Sequence, residues 1–394
     1  MAARLSRVKP PRGDMRPKAK PQFSLSLTFH LGPNTPAGGI LRRSEVKGVQ
    51  MRALAILGVK NEGAFLVEWL AHHRAVGFTD VLVYSNDCSD GTDAMLERLQ
   101  DLGWVTHVRN DGPHEEGPQW SMLKAADSHP LKAAADWVLF CDIDEFLNIH
   151  TGTRTLPALF AALPQADAIT LTWRMFGNAG VVAYEDRPVT ETFTHAAPET
   201  LAWPWRAQQF KTLFRTAGPW RKLGVHRPRS PLPGRAARWF DGSGREVPDL
   251  AEGARSFSDY TRPNYALVQL NHYALGAMES YLVKCDRGRA NRAAAGLDMG
   301  YWVERNLCEV EDRSILALDS SALRAELLAD PVLGPLHAAA VQWRKDRFVT
   351  LMQDEPWRAL FGRLLMTPAS RALNPQTAAT LYAHLKLAAP TKAR

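Results

Sequence analysis

From Met51 onward the chain repeats one pattern, a short apolar run of strand length followed by a loop and an amphipathic helical stretch, and no other feature restricts its fold as much. "ALAILGV" reads as a first strand. "EGAFLVEWLAHHRAVG" then sets Phe65, Leu66, Trp69, Leu70, His73 and Val76 on one helical face, closed by Gly77. "DVLVYSN" is a second strand, "DAMLERLQDLG" a helix ending at Gly103, "WVTHVRN" a third strand, "QWSMLKAADSH" a helix and "DWVLF" a fourth strand. Near-continuous apolar strands separated by helices are buried on both faces, which predicts an α/β fold with a mostly parallel sheet covered on either side. Ligands of such sheets sit at the carboxyl ends of the strands, near the point where strand order reverses. Three polar clusters fall at such ends: Lys60, Asn61 and Glu62; Asn86, Asp87 and Asp90; and Asp142, Asp144 and Glu145. They are expected to converge on one crevice.

The third cluster is the most informative. In "WVLFCDIDEFL" a hydrophobic strand runs straight into three carboxylates, which repel one another unless a cation is shared. Strand alternation would put Asp142 and Asp144 on one side with Ile143 facing away. That arrangement suits a single Mg or Mn ion, which takes oxygen ligands and leaves positions for substrate phosphates. The plainer alternative is that the acids cap the next segment or pair with Arg and Lys. A rival chemistry uses the same letters: haloacid-dehalogenase-type phosphatases place D-x-D at a strand end with the first Asp as nucleophile. They continue into a Thr-containing loop and carry the motif on the first strand, whereas here Glu145, Phe146 and Leu147 follow and the strand is the fourth.

"VKNEGAFLVEWLAHHRAVGFTDVLVYSNDCSDGT" followed by "DWVLFCDIDEFL" resembles glycosyltransferases of the GT-A fold, in particular family 2 and the related family 92. The N-E at a strand end, the "NDCSDGT" turn, one residue shorter than the usual D-D-G-S-x-D-G-T form, and the D-x-D-E-F-L block match in order, over roughly residues 51–290. The resemblance implies a Rossmann-like GT-A domain and a metal-dependent, inverting transfer of a sugar from a nucleotide-sugar donor, a UDP-sugar favoured, to a saccharide or glycoconjugate acceptor in polysaccharide biosynthesis. Carried over, it sets Asn61 and Glu62 beside the ribose, Asp87 at the base, Asp142 at the nucleotide and metal, and Asp144 on a Mn or Mg ion. A late His completes the metal shell in many such enzymes, and His272 in "LNHYALG" is the first choice, His226 in "KLGVHRPR" the second. Glu145 is expected to orient the site. Inversion needs a base, for which Glu185, Asp186 and Glu191 in "AYEDRPVTETF" are candidates, Asp186 foremost. Lys284, Arg287 and Arg289 are placed to meet diphosphate oxygens, or form a solvated helix face. Trp203 and Trp205 are acceptor candidates, whereas Trp173 reads as core. Two other readings stay open, the phosphatase and a non-catalytic nucleotide-sugar or glycan-binding protein.

Charge supports this division of labour. The chain of 394 residues has a formal charge of +7, but residues 1–50 hold ten Lys or Arg against Asp14 and Glu45, leaving 38 basic and 39 acidic residues in the remainder. A nucleic-acid footprint on the folded part is therefore not expected. Residues 1–50, rich in Pro, Lys and Arg, read as a disordered tail, and a functional start at Met51 is a sharper expectation. Residues 51–290 read as the catalytic domain and 291–394 as a helical region. Its helices are expected to pack on the domain, mediate oligomerisation or meet a membrane surface through "PWRALFGRLLM". Cys88, Cys141, Cys285 and Cys308 have neither zinc-site nor disulfide spacing, and no run of 18 apolar residues occurs. A cytoplasmic protein, with peripheral contact at the inner face of the plasma membrane as a further expectation, fits these features.

Overall fold

The first strand, β1 (Ala53–Val59), forms because every second residue is required by a different helical layer. Ala53, Ala55, Leu57 and Val59 face α1 (Gly63–Val76) and α2 (Thr92–Asp101), where Leu66, Trp69, Leu70, Met95 and Leu96 are buried. Leu54 and Ile56 face α3 (Pro118–Asp127), against Met122 and Leu123. The computed structural model describes residues 51–288 and 298–388; the tail read over 1–50 and Arg289 lie outside them. Between these helices run β2 (Asp80–Ser85) and β3 (Thr106–Arg109), and after the one-turn α4 (Pro130–Ala134) comes β4 (Trp137–Cys141), all five residues of it buried.

Beyond β4 the chain adds β5 (Glu145–Ile149), α5 (Leu156–Ala162), β6 (Ala168–Met175), β7 (Phe210–Arg215), the two-residue β8 (Trp239–Phe240) and β9 (Val268–His272). The nine strands form one sheet in the order β3-β2-β1-β4-β7-β6-β9-β5, with β8 alongside β6. Pairing is parallel from β3 to β4 and between β6 and β9, whereas β7 and β5 run antiparallel to their neighbours. The mostly parallel sheet expected from the apolar runs is therefore present. β5 was not anticipated. Only three residues separate it from β4, so the two strands read as one apolar run interrupted by acids, yet β5 lies at the far edge of a curled sheet.

That separation corrects the geometry expected for Asp142 and Asp144. They lie in a turn, closed by Glu145 N–H donating to the Asp142 carbonyl at 3.1 Å, and not on an extended strand with Ile143 turned away. The turn redirects the chain from the centre of the sheet to its edge.

The C-terminal part is helical as expected: α6 (Met278–Arg287), α7 (Met299–Val303), α8 (Ser321–Leu328), α9 (Leu333–Leu351), α10 (Glu355–Met366) and α11 (Pro375–Ala388). α9 packs against α1, α2 and α6, and α10 against α6, so these helices add a layer over the front of the sheet. Among the described residues, no helix is long and apolar enough to cross a membrane.

Gly77 ends α1 in the left-handed region at φ 112°, where its N–H donates to the carbonyls of His73 and Arg74. A Cβ there would meet nothing closer than 3.6 Å, so only backbone strain opposes a side chain. Gly77→Ala is expected to lower stability by about 1–2 kcal/mol at an unchanged m value in urea unfolding. A wild-type midpoint would show that the strain argument fails.

Candidate active site

Strand order reverses between β1 and β4, since β2 and β3 extend the sheet on one side of β1 and β4 lies on the other. The carboxyl ends of these two strands open on a crevice of about 660 Å³. Tyr84, Asn86, Asn110 and Met122 line one arm of it, and Trp173, His226, His272, Tyr301 and Arg305 line the other. Gly58 matters to the first arm: a Cβ at that position would come within 2.7 Å of the Met122 sulfur, so glycine lets α3 close on the strand.

The acidic turn stands between the arms, and Glu145 holds it in shape. Glu145 is fully buried, accepts from Asp142 N–H at 2.8 Å and from Trp173 Nε1–H at 2.6 Å, and does not line the crevice. It is a brace beneath the turn. Beside it, Lys211 on β7 is also fully buried, donating to Asp142 Oδ2 at 2.9 Å and lying 3.6 Å from Glu145 Oε2, with the Phe140 ring 4.7 Å away. Burial alone would lower the Lys211 ammonium; the carboxylates of Asp142 and Glu145 outweigh it and lift its pKa above the ordinary value. Burial pushes the Glu145 carboxyl up in turn, against the pull of Lys211. The lysine is thus a locked cation.

Asp144 has its own lysine. Lys284 on α6 donates to Asp144 Oδ2 at 2.6 Å and to the Ala274 carbonyl at 2.7 Å, and His272 Nε2 lies 3.7 Å from the same carboxylate oxygen. Burial would raise the Asp144 carboxyl, but Lys284 and then His272 hold it well below the usual range. The question raised by the sequence therefore has a direct answer: each aspartate of the turn has an ammonium partner. Arg287 adds a third cation, pairing with Glu62 and donating to the Lys60 carbonyl at 2.9 Å.

Among the described residues, no group of three or more His, Cys, Asp or Glu side chains is arranged to hold a metal ion. The nearest approach is the pair Asp144 and His272. Two ligands each about 2.0–2.2 Å from one ion can lie 3–4 Å apart, so this pair fits a cation that takes its other ligands from a substrate. His226 lines the crevice, but its Nδ1 is engaged with the Phe210 carbonyl at 3.0 Å, and burial followed by nearby Lys211 lowers its pKa to about 4.

The other expected residues divide clearly. Glu62 and Asn86 line the crevice. Asn61, at φ 53°, does not; its Oδ1 accepts from Ser89 N–H at 2.7 Å and pins the "NDCSDGT" turn to the end of β1. Asp87 turns to Gly112 N–H at 3.2 Å, and Asp90 accepts from Gly63 and Thr92, securing the starts of α1 and α2. Asp186, the expected base, pairs with His337 at 3.2 Å and lies 3.5 Å from Arg324, outside the crevice, and Glu191 is exposed in the short helix Val189–Thr192. Trp203 packs edge-on against Tyr382. The Trp205 side chain lies outside the described residues. Trp173 both packs in the core and lines the crevice.

Several crevice residues had gone unread. Lys211 had a signal in "FKTLFR", a lysine inside an otherwise buried strand, which is rare without a partner. Tyr301, Glu304 and Arg305 had none, since they come from a short helix and the residues just after it, with no motif.

Residues 54–237 match the family model described as glycosyltransferase family 92. A family 92 protein of Ricinus communis is 30% identical over 100 residues, covering 24% of this chain and 16% of that protein. One of Oryza sativa subsp. japonica is 29% identical over 150 residues, covering 36% of this chain and 24% of that one. The match thus spans about a quarter or less of the length of these curated relatives. Among solved structures, S. aureus TarS is similar at 20% identity and TM-score 0.27, covering 42% of this chain and 29% of that chain. Glucosyl-3-phosphoglycerate synthase from Mycobacterium tuberculosis is similar at 17% identity and TM-score 0.22, covering 32% and 44%.

Lys211→Met removes the locked cation and leaves Asp142 and Glu145 unpaired around a buried methyl group. Stability is expected to fall by about 3–5 kcal/mol. Adding Glu145→Gln should restore part of that loss in a thermal or urea unfolding series, because the amide keeps the Trp173 bond without the charge. Equal stability of the single and double variants would mean that the pairing is not what holds the turn.

Proposed function

We propose that the crevice between β1 and β4 binds a nucleotide-sugar donor and passes its sugar to a saccharide or glycoconjugate acceptor, a reading supported by the match of residues 54–237 to the glycosyltransferase family 92 model. The observation that carries this reading is the acidic turn with its two ammonium partners, facing an open cavity at the strand-order switch. The nucleoside belongs in the arm of Tyr84, Asn86, Asn110 and Met122, where an aromatic face, a thioether and two amides supply stacking and hydrogen bonds. The diphosphate then lies over the turn, within reach of Lys284, Arg287 and Arg305. A Mn or Mg ion, held by Asp144 and His272, would supply Lewis-acid stabilisation of the departing diphosphate.

Transfer with inversion is a single displacement, and the acceptor hydroxyl must give up its proton to a base. We assign that role to Glu304, a carboxylate on the crevice wall beside Tyr301, with Arg305 at 3.3 Å as its described partner. The other crevice carboxylates are committed: Glu62 to Arg287, Asp142 to Lys211, Asp144 to Lys284, and Asp298 to the backbone of Tyr301.

Release of UDP, GDP or CMP from the corresponding nucleotide sugars, followed with and without Mn, tests the reading. One donor is expected to be turned over, and Asp144→Asn should reduce that turnover by about a hundredfold or more. Turnover of small phosphoesters without nucleotide preference would replace it with the phosphatase reading. Glu304→Gln is expected to lower transfer by about a hundredfold while nucleotide affinity stays within a factor of two or so; unchanged transfer would remove Glu304 from the mechanism.

A further inference from the structure

The two lysines under the acidic turn are not equivalent. Lys211 lies at the crevice wall with no exposed surface, wedged between Asp142, Glu145 and the Phe140 ring, and is engaged by two carboxylates at once. Lys284 lines the crevice with its side chain 15% exposed, on a helix that reaches the cavity rim at Gly288. Its ammonium sits 2.6 Å from Asp144 Oδ2, the oxygen on which His272 Nε2 also converges. A divalent cation bound by Asp144 and His272 needs that same oxygen. Ammonium and metal therefore compete for one atom.

Charge around the cavity sharpens the competition. Among the described residues, five carboxylates and six Lys or Arg side chains line the crevice, and Glu62–Arg287, Asp142–Lys211 and Asp144–Lys284 are paired one to one. A divalent cation entering alone adds positive charge to three pairs that are already balanced, and a diphosphate alone adds negative charge to them. Each is unfavourable in a partly dry cavity, whereas the two together nearly cancel. A diphosphate also gives Lys284 a new partner once it leaves Asp144.

We propose that Lys284 holds the metal's place on Asp144, so that cation and nucleoside diphosphate bind as a coupled pair, the diphosphate drawing Lys284 off the carboxylate as the cation takes it. This rests on the donor-binding reading above and adds to it the residue that couples the two ligands. The coupling is reciprocal: the factor by which nucleotide tightens metal binding equals the factor by which metal tightens nucleotide binding.

The test is Mn binding to the full chain, followed by electron paramagnetic resonance of free Mn and by calorimetry, with and without UDP or GDP and corrected for Mn–nucleotide complexes in solution. The wild type is expected to bind Mn at least about tenfold more tightly with the matching nucleotide than without it. Lys284→Gln, which keeps a donor for the Ala274 carbonyl but no charge, should bind Mn alone about tenfold more tightly than the wild type and show weaker coupling. Lys284→Arg, which keeps the charge, should resemble the wild type. Lys60→Gln, which removes a crevice charge outside the Asp144 cluster, should shift Mn binding far less than Lys284→Gln. Equal Mn affinity of wild type and Lys284→Gln, or equal gains from Lys284→Gln and Lys60→Gln, would overturn the place-holding role while leaving donor binding intact. Absence of Mn binding by every variant, with nucleotide still bound, would overturn both the role and the metal. Failure of every folded variant to bind either nucleotide would instead count against the donor-binding reading itself.

Discussion

A lysine with no exposed surface is tolerable only where carboxylates surround it, and Lys211 meets that condition beside the turn that carries the chain from β4 to β5. Its ammonium joins Asp142 on the turn to Glu145 at the start of β5, and Glu145 in turn takes hydrogen bonds from the turn backbone and from Trp173 on β6. Three strands and a turn therefore share one charged node. Such a node adds little net stability compared with apolar packing, but breaking it is severe because the remaining charges stay buried. What it does supply is geometry. Asp142, which faces the crevice, is fixed in direction by a charge that has no exposed surface.

From that node the remainder of the site follows in layers. β9 runs beside β6 and delivers His272 next to Asp144, and α6, beginning a few residues later, returns across the crevice mouth with Lys284 and Arg287. α9 and α10 then pack on α6 and keep it in place. The helical region, which contains no motif, thereby holds in place the helix that carries Lys284 and Arg287. It also captures Asp186 through His337 and Arg324, which draws that carboxylate away from the cavity.

The first half of the fold was legible because its strands are buried on both faces and their helices end on recognisable residues such as Gly77. The acidic turn and His272 were legible because strand ends at a parallel sheet's carboxyl edge are where ligands collect. Lys211, Lys284 and Arg287 could not be assigned partners from spacing, since each pairs with residues far away in the chain. Asn61 and Asp87 misled for another reason. Both take left-handed backbone at tight turns, and their side chains hydrogen-bond within those turns and do not line the crevice. β5 was hidden because a strand that begins three residues after another is most simply read as its continuation, and only the pairing of Glu145 with His272 shows that it belongs to the opposite edge.

That short passage from β4 to β5 has a consequence for how the molecule is made. The carboxylates emerge early in synthesis, with β1 to β4 already complete behind them and able to pair through neighbours in sequence. β5, however, has no strand beside it until residues 268–272 arrive, and the cations that neutralise the turn arrive with residues 211 and 284. Long-range closures of this kind are late events in folding. The parallel half-sheet is specified by contacts between neighbours in the chain, whereas the neutralisation of its acidic end is specified by residues far downstream. The crevice is complete only when the far edge of the sheet and the lysine-bearing helix are both in place.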